Sequence, residues 1–155
     1  NVVNETMQSV KGLCDNKDIR VHLELPEELP LIMADKGRMV QVLTNLLSNA
    51  CKYSPPDTDV TLQCMTRMVP DEETGDMQPM VCCCVKDSGY GISPEDQEQL
   101  FTKFFRSDDP NIRQAKGTGL GLSITKGIIE LHGGEIWVDS KLGEGTSFQF
   151  SIPQA

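Results

Sequence analysis

Apolar residues recur along this chain with two spacings, one typical of helices and one typical of strands. Apolar positions three or four residues apart predict helices, and apolar positions that alternate with polar ones predict strands. The predicted helices cover residues 3–14, 35–54, 94–104 and 120–133, and the predicted strands cover residues 19–25, 58–69, 80–87, 135–140 and 146–153. This order predicts a two-layer α/β sandwich, in which helices pack on one face of a mixed, mostly antiparallel sheet.

The helix predicted over residues 35–54 has the clearest pattern, because an apolar stripe and a separate polar stripe run along it. The apolar stripe consists of Met39, Leu43, Leu46, Leu47 and Ala50, and the polar stripe consists of Arg38, Gln41, Asn45, Asn49 and Lys52. Asparagine is a mediocre residue inside a helix, because its amide competes for nearby backbone groups. Two asparagines on one stripe, followed by a lysine, therefore indicate a place where a polar ligand is held.

Composition and charge limit the classes of function. The 155 residues suit a single domain that covers residues 1–155, and 23 acidic against 14 basic residues give a net charge of −9. A chain this acidic is poorly suited to general binding of nucleic acid, which depends on lysine and arginine. Local cations, backbone amides or a metal still permit the binding of one nucleotide. We therefore expect no nucleic-acid partner, whereas a nucleotide ligand remains compatible with the charge.

The sequence also bears on location and on the cysteines. It has no apolar run long enough for a membrane span. Because it begins without methionine, we expect it to be a segment of a longer protein, which is either membrane-anchored or soluble. The six cysteines include no C-x-x-C pair. Cys82, Cys83 and Cys84 interrupt an apolar run that predicts a buried strand, where thiols act as small hydrophobes; redox sensing and metal binding are the alternatives. Reduced cysteines indicate the cytoplasmic side.

The first candidate for chemistry is the end of the long helix. Asn45, Asn49 and Lys52 lie at i, i+4 and i+7 on one stripe. The amide oxygen of Asn49 is a hard, neutral ligand that suits Mg²⁺, which usually takes few protein ligands besides waters and phosphates. Lys52 can neutralise a phosphate, and Tyr53 can cover a base. A capped and solvated helix end is the alternative.

Two glycine-rich turns are further candidates. Asp87 ends a predicted strand, and Gly89 and Gly91 after it let a flat ligand approach the backbone, so that the carboxylate can accept a hydrogen bond from an exocyclic amine. The G-x-G-x-G run over 117–121 leads into a helix, whose free amides form an anion site. Each signal alone is weak. Many ordinary strand ends resemble the Asp87 turn, and the glycine run is also compatible with a flexible hinge. The second run fits neither a Walker A loop nor the dinucleotide-binding fingerprint.

A phenylalanine-rich segment stands between these turns. Phe101, Phe104 and Phe105 are spaced to anchor the following loop in the core, and Arg106 places a cation near a phosphate. An ordinary helix that packs its aromatic residues explains the same pattern equally well.

These features occur together and in a fixed order, ending with the run G-E-G-T-S-F at 143–148. Together they resemble the catalytic ATP-binding domain of sensor histidine kinases, in the GHKL superfamily that also contains DNA gyrase, Hsp90 and MutL. The resemblance covers essentially the whole chain. It implies the Bergerat fold of that superfamily, with ATP and Mg²⁺ as ligands.

The resemblance also implies a role for each matching residue. Asn49 matches the Mg²⁺ ligand, Asp87 matches the aspartate that reads the adenine amino group, and Asn45, Asn49 and Lys52 form the implied catalytic group. The residues implied to bind the nucleotide are Asn49, Lys52, Tyr53, Asp87, Gly89, Gly91, Ile92, Phe101, Phe105, Arg106, Lys116, Gly117, Thr118, Gly119, Leu120, Gly121, Leu122 and Thr146. Residues 107–116 correspond to the ATP lid.

Asn45 distinguishes between branches of the superfamily. The hydrolysing branches carry a glutamate at this position to activate water, and an amide cannot act as that base. The resemblance therefore implies transfer to a histidine on a separate dimerisation domain of the same, homodimeric protein, with a response regulator receiver domain downstream. Neither His22 nor His132 lies in a motif that resembles the acceptor, so we expect no autophosphorylation by this segment alone. The alternatives are a nucleotide-binding scaffold without phosphoryl transfer and a gyrase-type ATPase.

Overall fold

The computed structural model describes residues 2–28, 30–103, 105 and 121–155. In chain order its elements are α1 (Val2–Asn16), β1 (Arg20–Glu24), α2 (Lys36–Lys52), β2 (Asp59–Pro70), β3 (Met77–Asp87), α3 (Pro94–Gln97), α4 (Gly121–Leu131), β4 (Glu135–Lys141) and β5 (Gly145–Pro153). Every predicted helix and strand has a counterpart among these elements, although the helix predicted over 94–104 is much shorter than expected. In the part of the chain that is described, no helix is long and apolar enough to span a membrane.

The strands form one five-stranded sheet in the order β1-β2-β3-β5-β4. β1 pairs with β2 in parallel, and all other neighbouring strands pair antiparallel. The prediction of a mixed, mostly antiparallel sheet is confirmed. In the β3–β5 register, Asp87 lies opposite Thr146, which brings the end of β3 next to the turn that opens β5.

The helices cover one face of this sheet. α2 and α4 contact the strands, and α1 packs mainly against α2. The strand residues that are buried beneath this layer include Val60, Leu62, Cys64, Val81, Cys83, Val85, Phe148, Phe150 and Ile152. On α2 the predicted apolar stripe is buried, and Leu46 and Leu47 are completely so. Burying one such leucine contributes about 1.5–3 kcal/mol, so this stripe fixes the rotation of α2 about its axis and leaves the polar stripe facing away from the core.

The prediction of a helix over 94–104 is wrong in its length. α3 begins as predicted, with the Ser93 hydroxyl accepting the Asp96 N–H, but it ends at Gln97. Beyond that point the chain continues in turns, for example with the Gln99 N–H donating to the Asp96 carbonyl at 3.0 Å. The run E-D-Q-E-Q over 95–99 offers no apolar face to pack, so nothing stabilises a longer helix here.

The prediction for the three adjacent cysteines is correct for one of them. Cys83 faces the helices and is buried, whereas Cys82 and Cys84 are half-buried. Because successive side chains of a strand point to opposite faces, Cys82 and Cys84 lie on the face of the sheet away from α2 and α4.

Candidate functional site

The polar stripe of α2 forms the first wall of the candidate site. Asn45, Asn49 and Lys52 are all half-buried on the side of α2 that faces away from Leu46 and Leu47. The helix is started by Asp35, whose side chain accepts the Arg38 N–H at 2.8 Å. The three residues therefore share one partly solvated face, as their spacing predicts.

The side-chain amide of Asn45 joins α2 to the first turn of α4. Its Nδ2 donates to the Thr125 hydroxyl at 3.1 Å and to the Gly121 carbonyl at 3.5 Å, and the Thr125 hydroxyl donates to that same carbonyl at 2.8 Å. Thr125 is completely buried, and no sequence motif identified it as part of this region. The structure thus gives Asn45 a positioning contact, because its amide holds the start of α4 against α2.

A lysine that directly follows α1 holds the other end of α2. Lys17 Nζ donates to the carbonyls of Cys51 at 2.9 Å and of Lys52 at 3.0 Å. These carbonyls belong to the last turn of α2, which has no intrahelical partners for them, and a cation there also complements the helix dipole. Sequence reasoning missed Lys17, because it precedes its partners by more than thirty residues.

We expect Lys17→Met to lower the free energy of unfolding by about 1–2 kcal/mol, because two charge-assisted hydrogen bonds at a helix end are lost. Lys11→Met, at an exposed position of α1, is the matched control and is expected to change stability by less than about 0.5 kcal/mol. Urea unfolding of both variants measures the difference. Equal stability of the two variants would show that the Lys17 contacts contribute nothing.

Asp87 forms the second wall, at the end of β3. Only 7% of its surface is exposed, and its Oδ1 accepts the Gly89 N–H at 2.8 Å. Burial raises the pKa of the Asp87 carboxyl to about 6, although hydrogen bonds from the backbone amides of Gly89 and Thr146 act in the opposite direction. A buried carboxylate with a perturbed pKa at the end of a strand is a good candidate for a ligand-binding group.

The turn after Asp87 packs directly on the end of α2. The Tyr90 N–H donates to the Tyr53 carbonyl at 3.3 Å. A Cβ atom at Gly89 would lie 2.4 Å from that carbonyl oxygen and 2.9 Å from the Asp87 Oδ1, so no larger residue fits. The structure therefore brings Asp87 and Gly89 next to the C-terminal end of the helix that carries Asn49 and Lys52.

Gly91 is required by both its conformation and its surroundings. Its φ is +74°, and a Cβ atom there would lie 2.0 Å from the Lys141 carbonyl oxygen, a backbone atom that cannot rotate away. Gly143 has a similar φ of +78° but no atom within 4 Å of its Cβ position. A substitution of Gly143 therefore introduces backbone strain alone, whereas a substitution of Gly91 introduces both backbone strain and steric overlap.

Gly91→Ala is expected to lower the free energy of unfolding by about 3 kcal/mol or more, because strain and overlap add. For Gly143→Ala we expect a loss of only about 1 kcal/mol, from strain alone. Chemical denaturation of both variants tests this. A loss for Gly91→Ala no larger than that for Gly143→Ala would mean that the packing of Gly91 on Lys141 does not constrain the turn.

Ser140 connects this turn to the last two strands. Its hydroxyl accepts the Ile92 N–H at 2.8 Å, donates to the Gly145 carbonyl at 2.9 Å and lies 2.8 Å from the Thr146 hydroxyl. Thr146 and Ile92 are both buried, so these bonds fix two of the predicted site residues beside Asp87. Sequence reasoning missed Ser140, because only the strand register brings it to this place.

The phenylalanine-rich segment is attached to the core through Phe101. Its ring meets that of Phe148 edge to face, with 6.5 Å between the centroids, and Lys126 Nζ of α4 lies 5.8 Å from the centroid of the Phe101 ring. Phe105 is half-buried. Phe101 therefore packs against the core at β5, as predicted.

Several predicted site residues lie outside the described residues, namely Phe104, Arg106, Lys116, Gly117, Thr118, Gly119 and Leu120. Of the same glycine-rich run, Gly121 begins α4, and Leu122 packs against the hydrophobic core. The described part thus places the end of α2, the turn after β3, the start of β5 and the start of α4 around one region.

The sequence of this chain is similar to those of known proteins. Residues 34–155 match the family described as histidine kinase-, DNA gyrase B- and HSP90-like ATPase. The chain is 38% identical over 136 residues to the sensor histidine kinase WalK of Bacillus subtilis, a match that covers 85% of this chain and 21% of WalK. It is 38% identical over 149 residues to the adaptive-response sensory kinase SasA of Thermosynechococcus vestitus, covering 96% of this chain and 36% of SasA. The chain therefore spans about a fifth to a third of the length of these relatives.

Solved structures show the same fold. The mycobacterial sensor histidine kinase MprB superposes with a TM-score of 0.78 at 25% identity, over 98% of this chain and 95% of that one. The nucleotide-free catalytic domain of histidine kinase ThkA gives a TM-score of 0.78 at 30% identity, over 99% and 90% of the two chains. Full-length ShkA in complex with AMPPNP gives 0.78 at 28% identity, over 99% of this chain and 29% of ShkA.

Proposed function

Because this chain belongs to the histidine kinase-, DNA gyrase B- and HSP90-like ATPase family, as a catalytic ATP-binding domain of the histidine kinase type, we propose that it donates the γ-phosphoryl group of Mg-ATP to a histidine of a separate dimerisation domain. The observation that carries this proposal is the position of Asp87. Its carboxylate is buried and is held by two backbone amides immediately beside the end of the helix that bears Asn49 and Lys52. We further propose that residues 1–155 form this one domain.

Asp87 is suited to selecting the base. Two backbone amides fix the carboxylate in one orientation, and its remaining lone pairs can accept the exocyclic amine of adenine. Guanine carries a carbonyl at that position and would leave the buried carboxylate facing an acceptor. Gly89 and Gly91 place no side chain at their positions in the adjoining turn, and Thr146 lies opposite Asp87 in the sheet.

The polar stripe of α2 is suited to the triphosphate. Asn49 offers a neutral amide oxygen, and Lys52 lies almost one turn further on, at the end of the helix. This donor set fits Mg²⁺, because that ion usually takes one or two protein ligands and completes its coordination with phosphate oxygens and water. When bound, Mg²⁺ would neutralise the phosphate charge that develops during transfer. Lys52 would orient the same phosphates as a point charge.

The acceptor is expected to be a histidine and not water. Asn45 cannot remove a proton from water, and its amide is already used to hold Thr125 and Gly121 of α4. Catalysis then rests on positioning the phosphoryl group against a better nucleophile. A gyrase-type ATPase needs a general base that activates water, and Asn45 cannot act as that base.

We propose that neither histidine of the chain supplies this acceptor. His132 is engaged on both sides, with Nδ1 lying 2.7 Å from the Ile128 carbonyl and Nε2 accepting the Asp35 N–H at 3.3 Å. His22 lies in β1, where Nε2 is 3.0 Å from the Asp59 carboxylate. We therefore propose that the acceptor belongs to the dimerisation domain of the same homodimeric protein, on the cytoplasmic side, and that a receiver domain of a response regulator accepts the group next.

Transfer in trans tests this proposal. The purified chain is mixed with [γ-³²P]ATP, Mg²⁺ and a dimerisation domain that carries the acceptor histidine, and acid-labile, base-stable label on that domain is measured. The proposal predicts label on the dimerisation domain and none on this chain alone. ATP binding without transfer to the dimerisation domain from its own full-length protein would instead favour a regulatory scaffold.

A further inference from the structure

The six cysteines fall into two buried pairs and two half-buried residues. The sulfur atoms of Cys14 and Cys51 lie 2.7 Å apart, and those of Cys64 and Cys83 lie 2.8 Å apart. All six side chains are free thiols. Neither pair follows from the sequence, because 36 residues separate the members of the first pair and 18 those of the second.

The first pair joins two helices. Cys14 lies in the last turn of α1 and is 4% exposed, and Cys51 lies in the last turn of α2 and is fully buried. Lys17 Nζ donates to the Cys51 carbonyl, so the two helix ends are already held together at this point. The sulfur atoms would need to approach by less than about 1 Å to reach the length of a disulfide bond.

The second pair joins two strands. Cys64 of β2 and Cys83 of β3 are directly opposite each other in the antiparallel register. Opposite residues of such strands have Cα atoms about 4.5–5.5 Å apart, which lies within the range that a disulfide spans. Both side chains face the helix layer and are buried, whereas Cys82 and Cys84 point to the other face of the sheet.

We propose that Cys14–Cys51 and Cys64–Cys83 are two dithiol modification sites, each oxidised to an intramolecular disulfide by a low-molecular-weight disulfide such as oxidised glutathione. One thiolate of a pair attacks a glutathione sulfur, which forms a mixed disulfide and releases one glutathione thiolate. The second thiolate then attacks the protein sulfur of that mixed disulfide and releases the second glutathione. Overall, two protein thiols are oxidised, and one glutathione disulfide is reduced to two thiols.

The surroundings of Cys64 and Cys83 indicate which thiol of that pair reacts first. A hydrogen bond with Cys83 lowers the pKa of the Cys64 thiol, and the pKa of Cys83 is raised, so Cys64 is the better first nucleophile. Cys14 and Cys51 are both buried in the core, so reaction of this pair with the oxidant requires a transient local opening of the helix ends.

Each dithiol site includes a cysteine on an element that carries residues of the candidate nucleotide site. Cys51 directly precedes Lys52 on α2, and Cys83 precedes Asp87 by four residues on β3. Both disulfides would close across elements that already touch, so oxidation is expected to stabilise the fold without moving either wall. The chemistry of the thiols does not depend on ATP binding, so the inference can fail or succeed independently of the proposed function.

Peptide mapping of the wild-type chain tests the inference. The folded protein is incubated with oxidised glutathione, the remaining thiols are alkylated under denaturing conditions, and the disulfide-linked peptides are identified by mass spectrometry. We expect links Cys14–Cys51 and Cys64–Cys83, with Cys82 and Cys84 alkylated. The inference would be overturned if the four cysteines of the two pairs were found alkylated or glutathionylated. Disulfide links that involve Cys82 or Cys84 would also overturn it.

Thermal unfolding provides an independent readout. Oxidation is expected to raise the melting temperature of the wild type by about 5–10 °C, because both cross-links restrict the unfolded chain, and dithiothreitol should reverse the rise. Cys14→Ala and Cys64→Ala should each lose part of the rise, and Cys82→Ala, the matched control, should retain all of it. A rise that is equally large in Cys14→Ala, Cys64→Ala and Cys82→Ala would contradict the assignment of the two pairs.

Discussion

Asp87→Asn is expected to weaken ATP binding by about 100-fold, because the substitution presents an amide donor to the adenine amine inside a buried site. The carboxylate is held by the backbone amides of Gly89 and Thr146, so it cannot move to compensate. Calorimetric titration with ATP and with GTP measures the effect. Asp15→Asn, an exposed position on α1, is the matched control and should leave both affinities unchanged. Equal ATP affinities of the wild type and Asp87→Asn would refute the assignment of Asp87 to the base.

The pH dependence of stability tests, independently of ATP binding, whether the Asp87 carboxyl is buried in the folded protein. Burial raises the pKa of the Asp87 carboxyl from 3.8 to about 6, so the ionised form is disfavoured in the folded protein. Its contribution to stability is therefore fully present below pH 4 and is lost as the pH rises through 6, by a total of about 3 kcal/mol. Asp87→Asn does not titrate there. The melting temperature of the wild type should fall relative to that of the variant between pH 4 and pH 7, and parallel curves would contradict the burial of the charge.

Asn49→Ala is expected to lower phosphoryl transfer in trans by about 100-fold or more, since it removes the only protein ligand proposed for Mg²⁺. The affinity for ATP without Mg²⁺ should change by less than about threefold, because the base is recognised elsewhere. The measurement is the initial rate of labelling of the dimerisation domain, together with ATP titrations with and without Mg²⁺. Asn4→Ala, exposed on α1, is the control. If Mg²⁺ still increased the ATP affinity of Asn49→Ala, the metal would have to be bound by another residue.

The parts of the fold that sequence predicted are those in which local periodicity and packing agree. On α2, the apolar stripe through Leu46 and Leu47 set the helix rotation, and with it the face that carries Asn49 and Lys52. Asp87 became a candidate only together with the other motifs, because many ordinary strand ends also carry a carboxylate followed by glycines. The periodicity argument failed for 95–99, where the polar run gives a longer helix nothing to pack against.

The contacts that sequence could not predict all join residues distant along the chain. Lys17 reaches the carbonyls of Cys51 and Lys52, and Ser140 reaches Ile92, only once the helices and strands are in register. The bond from the Asn45 amide to Thr125 is of the same kind. Such contacts leave no periodic trace in the sequence, because one lysine or serine at the right place is indistinguishable from any other.

We expect the region between the end of α2 and the turn after β3 to bind Mg-ATP. Calorimetric titration of the purified, folded chain with ATP, first without and then with Mg²⁺, tests it most directly. We expect one site per chain, with an affinity for ATP that Mg²⁺ increases and that Asp87→Asn lowers by about 100-fold. A folded chain that binds no ATP, or that binds it equally well after Asp87→Asn, would contradict it.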